Sequence, residues 1–400
     1  MSDPVAASRL DQELAAQLSD FAAAGLRREL RRVAARSGTV ATIDGRSLVN
    51  FSSNDYLGLS MHPALKEAAV RAVTDHGAGS AASRLVCGSL AIHHELEEHL
   101  ADWCDTPAAL AFSSGFAAAM GTIPALVGAN DVVILDKLTH ACCIDAARLS
   151  GARMRVFRHN DLDMLANHLR WADSLGGESR PRVLVITESV FSMDGDRAPL
   201  RELVELKDRH GAFLLLDEAH AAGLLGPGRA GLADALGLRS RIDVHLGTLG
   251  KAVGSAGGFI AGSRTLVEYL VHRARSFVFS TAPVPAAAAA AMAGVCVIRS
   301  EEGARLADQA WTHARTLAKV ILQAPEATST ILPWQLGDER RAVEESVRLR
   351  EAGFLAPAIR YPTVARGQAR IRFTVSAAHT SDQVERLLQV LDLEGTRTAS

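Results

Sequence analysis

Cysteine is scarce in this chain: Cys87, Cys104, Cys142, Cys143 and Cys296 are the only five among 400 residues. The number is odd and no CxxC pair occurs, which argues against a disulfide framework and fits a reducing, cytoplasmic setting. Aromatic residues make up only 5%, and neither sign of charge dominates, the net being −2. So balanced a chain gives no reason to expect nucleic acid or a membrane as a partner. Long apolar runs are missing too. The nearest is Ala-rich 283–298, shorter than the ~20 residues a bilayer span needs, so it reads as a packed core helix. The first residues lack a charged segment followed by an apolar one, and no signal peptide is expected.

What is present is alternation. Residues 8–35 place Leu10, Leu14, Leu18, Phe21, Leu26, Leu30 and Val33 at helical spacing opposite an Arg-rich face. Segments 40–43 and 48–51 read as a hairpin about Asp44-Gly45. Strand patterns follow at 108–112, 132–135, 154–157, 183–187, 213–216, 244–247 and 258–261. Helical patterns lie between most of them, including 116–126, 162–171 and 200–209. This predicts an α/β fold whose large domain holds a mostly parallel seven-stranded sheet with helices on both faces. Ligands of such sheets sit beyond the carboxyl ends of the strands. Farther on, 299–323, 339–352 and 382–391 read as helices and 370–375 as a strand, a smaller α/β C-terminal domain. The expected division is an arm at 1–55, a large domain at 56–290 and a small one at 291–395.

Three familiar motifs fail. Gly250-Lys251 is no P-loop, because His245 and Ala252 stand where a Gly and a Ser or Thr belong. Gly77-Ala-Gly79 has Ala82 in place of the third dinucleotide-binding Gly, and no strand leads into it. His94 and His99 are five apart, about 140° off a common helix face, so they do not converge on a metal.

Lys251 is different. It sits in a small-residue turn, 34 residues after Asp217, which ends an apolar strand. A lysine for a Schiff base and an acid to keep a pyridine nitrogen protonated are the two demands of pyridoxal phosphate (PLP). The bland alternative is a surface lysine in a glycine turn. The Ser114-Gly115-Phe116 turn between strand and helix offers amides and a helix dipole for a phosphate, or is merely a tight turn. His140 offers a ring for stacking, or only a hydrogen-bonded side chain. Arg370 and Arg372 share one strand face, so one of them is a candidate carboxylate clamp and a solvated face is the alternative.

Taken in order, these segments resemble the α-oxoamine synthase family of fold-type-I PLP enzymes over about residues 20–392. The carriers are Asn50-Phe-Ser-Ser-Asn54-Asp-Tyr-Leu-Gly58, Ser83-Arg-Leu-Val, Phe191-Ser192-Met-Asp-Gly195, Asp217-Glu-Ala-His220, Gly247-Thr248-Leu-Gly-Lys251 and Ser276-Phe-Val-Phe-Ser280-Thr281. Within the family, Gly254–Phe259, Arg273–Thr281 and Ala358–Val364 are most similar to the biotin-pathway branch, which condenses L-alanine with pimeloyl-CoA or pimeloyl-acyl-carrier protein. The resemblance implies that Lys251 holds PLP and moves protons, Asp217 pairs with the ring nitrogen, His140 stacks on the ring and His220 hydrogen-bonds its oxygen, with Ser192 nearby. It implies a phosphate cradle of Gly115, Phe116 and Thr248, completed by Thr281 from a neighbouring copy, hence a homodimer with shared sites. Arg372, assisted by Asn54, would clamp the amino-acid carboxylate, and Arg27 would bind the acyl substrate. No metal is implied. Ala119, Ala81-Ala82, Ala230, Tyr361, Ala365-Arg366 and Cys142 depart from the family pattern without removing a required chemical group. The rival readings are a glycine C-acetyltransferase, a 5-aminolevulinate synthase, a serine-using long-chain synthase, and a non-catalytic regulatory subunit on the same fold.

Overall fold

The computed structural model describes residues 8–395 apart from 24–25, 29 and 177–179. A seven-stranded sheet forms its centre, in the order Ala108–Phe112, Gly258–Gly262, Val244–Thr248, Phe213–Asp217, Val183–Glu188, Val132–Asp136, Arg153–Phe157. Every pairing is parallel except those of Gly258–Gly262, which runs antiparallel to both neighbours. The central strands are apolar on both sides, as a sheet covered on both faces requires. Leu214 and Leu216 join Val132, Ile134, Val183 and Val185 in one core, while Leu215 joins Val133, Leu135, Leu184 and Ile186 in the other. All seven strands fall where the alternation predicted them.

The Ala-rich segment forms the helix Pro285–Arg299, with Ala288, Ala291, Val295 and Ile298 buried in the first core. No helix among the described residues is long and apolar enough to cross a membrane. The second core is covered by Gly115–Leu126 and Ala141–Ser150. Toward the C-terminus, Ile331–Gly337, Ala369–Thr374 and Ala358–Ile359 form a three-stranded antiparallel sheet. The helices Glu301–Ile321, Glu339–Glu351 and Ser381–Gly395 accompany it. Phe354–Leu355 pairs in parallel with Arg46–Asn50, tying the N-terminal strands to this C-terminal part.

The N-terminal helix is shorter than its apolar spacing suggested. It covers Arg9–Ala23 and buries none of its residues. Val33–Ser37 is instead a strand paired with Val40–Ile43 across Gly38.

Candidate active site

The carboxyl ends of Val183–Glu188, Phe213–Asp217 and Val244–Thr248 open onto one cavity of about 150 Å3. Lys251, Asp217, His220, His140, Gly115, Phe116 and Thr248 all line it, together with Glu188 and Cys142. The turn carrying Lys251 is fixed from below: Leu249 N–H donates to Gly257 O and Gly254 N–H to Lys251 O. Gly258 allows the sheet to meet the start of the helix Gly115–Leu126, since a Cβ there would lie 2.3 Å from the Gly115 nitrogen. That helix is capped by Ser114, whose hydroxyl accepts from Ala117 N–H at 3.0 Å. Its first amides therefore face the Thr248 end of the cavity, an arrangement suited to a phosphate.

Lys251 Nζ lies 2.8 Å from His220 Nε2, and His220 Nδ1 lies 2.5 Å from the Tyr56 hydroxyl. Burial lowers the Lys251 pKa, against the pull of Asp217 and Glu188. Burial also pushes His220 well below its ordinary range, so the imidazole is neutral. Tyr56 is pushed up to about 12 by burial and stays protonated. The chain Lys251–His220–Tyr56 thus links an amine of lowered basicity to a neutral imidazole and a protonated phenol. Asp217 is buried, which raises its pKa, and its Oδ1 accepts from Ala219 N–H at 2.9 Å. His140 Nδ1 lies 2.9 Å from Cys142 Sγ. That contact raises the His140 pKa, while a hydrogen bond from Cys143 is foremost in lowering Cys142 to about 6.

A second cavity, about 560 Å3, meets Lys251 from the other side and is lined by Asn54, Gly254, Ser255 and Arg36 among others. Arg372 reaches toward this region: its Nε donates to Ser192 O and one terminal nitrogen to Asn54 Oδ1 at 3.2 Å and Thr374 at 2.8 Å. The other terminal nitrogen is buried without a hydrogen-bond partner among the described residues. Arg370 on the same strand is already used, paired with Asp194 at 2.6 Å and with Met193 O. Ser192 does not line the first cavity, but its N–H donates to Glu188 Oε2 at 3.1 Å.

Two expected residues stand apart. Arg27 is exposed beyond the first helix, and Thr281 is exposed where it bridges to Ser83; neither lines the cavity around Lys251. Tyr56 and Glu188 were not anticipated. Tyr56 lies within the Asn50–Gly58 segment quoted above, and Glu188 ends a strand four residues before Ser192.

The fold and this lysine–acid cavity are those of a fold-type-I PLP enzyme, and the chain belongs to the aminotransferase class I and II family, whose model matches residues 46–391. It is 49% identical over 385 residues to an 8-amino-7-oxononanoate synthase of Anaeromyxobacter sp. (strain Fw109-5), covering 96% of this chain and 94% of that protein. Among solved structures it is similar to serine palmitoyltransferase of S. paucimobilis with bound PLP and myriocin, with a TM-score of 0.90, 28% identity and coverage of 98% and 100% of the two chains. It is also similar to 8-amino-7-oxononanoate synthase of Francisella tularensis, with a TM-score of 0.72, 27% identity and coverage of 88% and 99%. The cofactor is pyridoxal phosphate. The interior fits it: a buried amine of lowered basicity, a buried acid and a capped helix start converge on one cavity.

Proposed function

We propose that this chain catalyses the decarboxylative condensation of L-alanine with pimeloyl-CoA or pimeloyl-acyl-carrier protein, giving 8-amino-7-oxononanoate, CO2 and the free thiol. The observation that carries the substrate choice is the 49% identity over nearly the whole chain to a synthase of that name. When bound, PLP supplies an electron sink for negative charge at the amino-acid α-carbon.

The chain's own residues do the rest. Lys251 anchors the cofactor and, once free, takes the α-proton and returns one after CO2 has left. Burial lowers its basicity, which favours the neutral amine that can accept. Asp217 would hold the ring nitrogen and keep it protonated. His140 would stack on the ring, and His220, fixed by Tyr56, would hydrogen-bond its oxygen with Ser192 nearby. Gly115 and Phe116 amides with the Thr248 hydroxyl hold the phosphate. The free nitrogen of Arg372 binds the alanine carboxylate, with Asn54 bracing the guanidinium. The larger cavity on the far side of Lys251 admits the thioester, with Arg27 assisting from the arm. Thr281 serves the phosphate of a second copy, which makes the working unit a homodimer.

The likeness in shape to serine palmitoyltransferase favours, as a second reading, another α-oxoamine synthase with a different amino acid and acyl chain. A product-mass assay separates them. Purified holoenzyme receives alanine with pimeloyl-CoA, and in parallel glycine with acetyl- or succinyl-CoA and serine with palmitoyl-CoA. The expected product is 8-amino-7-oxononanoate from the alanine pair. Product from a glycine or serine pair alone would overturn the substrate reading and leave the cofactor site standing.

A further inference from the structure

We propose that Glu188 is the proton-carrying partner of Asp217: it is held as a neutral acid, so that of the two carboxyls it is Asp217 that carries negative charge at the end of the cofactor ring. Glu188 and Asp217 are register partners on adjacent parallel strands, and both side chains line the small cavity. Both are buried. Two ionised carboxyls side by side in a dry cavity repel, and one of them takes up a proton.

The surroundings decide which one. Asp217 Oδ1 accepts from Ala219 N–H and, with PLP held, would have the protonated ring nitrogen as its counter-charge. For Glu188 the foremost influence after burial is repulsion by Asp217 itself. Its pKa is pushed up to about 8, which leaves it protonated at neutral pH. The other titratable groups that face it are Lys251, His140, Tyr56 and Cys143. Tyr56 is protonated and Cys143 is raised well above its ordinary range, so neither adds charge.

The hydrogen bonds agree with a neutral acid. Oε2 accepts from Ser192 N–H at 3.1 Å, as a carbonyl oxygen does. Oε1 is buried with no hydrogen-bond partner among the described residues, so no donor stabilises negative charge on it. A second anion beside Asp217 would divide the field that keeps the ring nitrogen protonated; a neutral acid leaves that field intact. Glu188 acts through Asp217 and is a positioning residue in this sense. Through Ser192, whose carbonyl accepts from Arg372, it also connects the cofactor cavity to the carboxylate clamp.

The inference rests on the PLP reading and not on the identity of the acyl chain. Glutamine copies a protonated glutamate in shape, with one acceptor and one donor. Holoenzyme carrying Glu188→Gln is therefore expected to lose less PLP affinity and turnover at pH 7 than Glu188→Ala does. Glu188→Ala, which leaves the Ser192 amide unpaired, is expected to lose ~10-fold or more. The infrared difference between wild type and the Gln variant should contain the carbonyl band of a protonated carboxyl at pH 7, which fades as pH is raised. A Gln variant that folds but loses as much as the Ala variant, or a difference spectrum without that band at pH 7, would overturn the proposal. Should Gln prevent folding, Glu188→Asp provides the reference for the same spectrum. PLP absorbance is read in the same samples; its absence from wild type would sink the cofactor reading instead.

Discussion

The inner wall and the outer rim of the site are built to different degrees by one chain. Inside, His220, Tyr56, Asp217 and Glu188 are buried and Lys251 is half-buried, and most are held by hydrogen bonds. Outside, Phe116 is 50% exposed at the cavity edge, and Leu85, Val86 and Phe279 stand exposed in the segments bearing Ser83 and Thr281. Apolar side chains gathered around a polar site are a mark of an interaction surface. The contrast teaches that one chain completes the chemistry of the lysine but not the enclosure, which supports the proposed second copy.

The comparison can be broken from the inside first. Lys251→Ala should lower turnover by ~10^4-fold or more, since it removes both the anchor and the base. Its melting temperature should stay near wild type, as checked by scanning calorimetry. Arg372→Lys should raise the KM for alanine ~10–100-fold through loss of a charge-assisted bond, with a smaller change in kcat. Neither effect should depend on protein concentration.

His159 lies behind the inner wall. Its two ring nitrogens sit 3.0 Å from Asp136, which ends the strand leading to His140, and 2.7 Å from Asp196, in the turn after Ser192. Burial opposes charge on this imidazole, but the two carboxylates outweigh it and raise the pKa to about 10. A pKa above the ordinary 6.5 means that the stabilisation is full below about pH 6.5 and declines as pH rises through about 10. His159→Gln should cost about 2 kcal/mol at pH 6, read by denaturant unfolding, and the gap from wild type should close toward pH 10.

At the rim the effect is smaller and of another kind. Thr281→Ala should weaken PLP binding ~2–10-fold, the worth of one hydrogen bond. Because the group is proposed to act in a neighbouring copy, wild-type PLP affinity should fall on dilution below the dimer constant, while the variant should change less. Equal dilution curves would place Thr281 outside the shared site.

The seven strands were legible because each central strand is apolar on both faces, a pattern that survives without tertiary knowledge. The motif residues around the cavity were legible as types, since Lys251, Asp217 and His220 sit at strand ends and turns. What was not legible depends on register. Glu188 lies 29 residues before Asp217 in sequence, and only the pairing of two strands makes them neighbours. Tyr56 reaches His220 from 164 residues away. The helix foreseen over 8–35 failed because apolar spacing carries no information about the hairpin that claims Val33–Ser37. The strands Phe354–Leu355 and Ala358–Ile359 are too short to show a period. Arg27 and Thr281 rest on resemblance, since both are exposed away from the cavity.

The most direct test of Lys251 as the proton-moving group is exchange of the alanine α-proton with solvent. Holoenzyme is incubated with alanine in D2O without thioester, and deuterium at the α-carbon is followed by NMR. Wild type is predicted to exchange it steadily, and Lys251→Ala loaded with PLP is predicted to show none above the enzyme-free rate. Exchange by the folded Lys251→Ala variant at the wild-type rate would contradict the account.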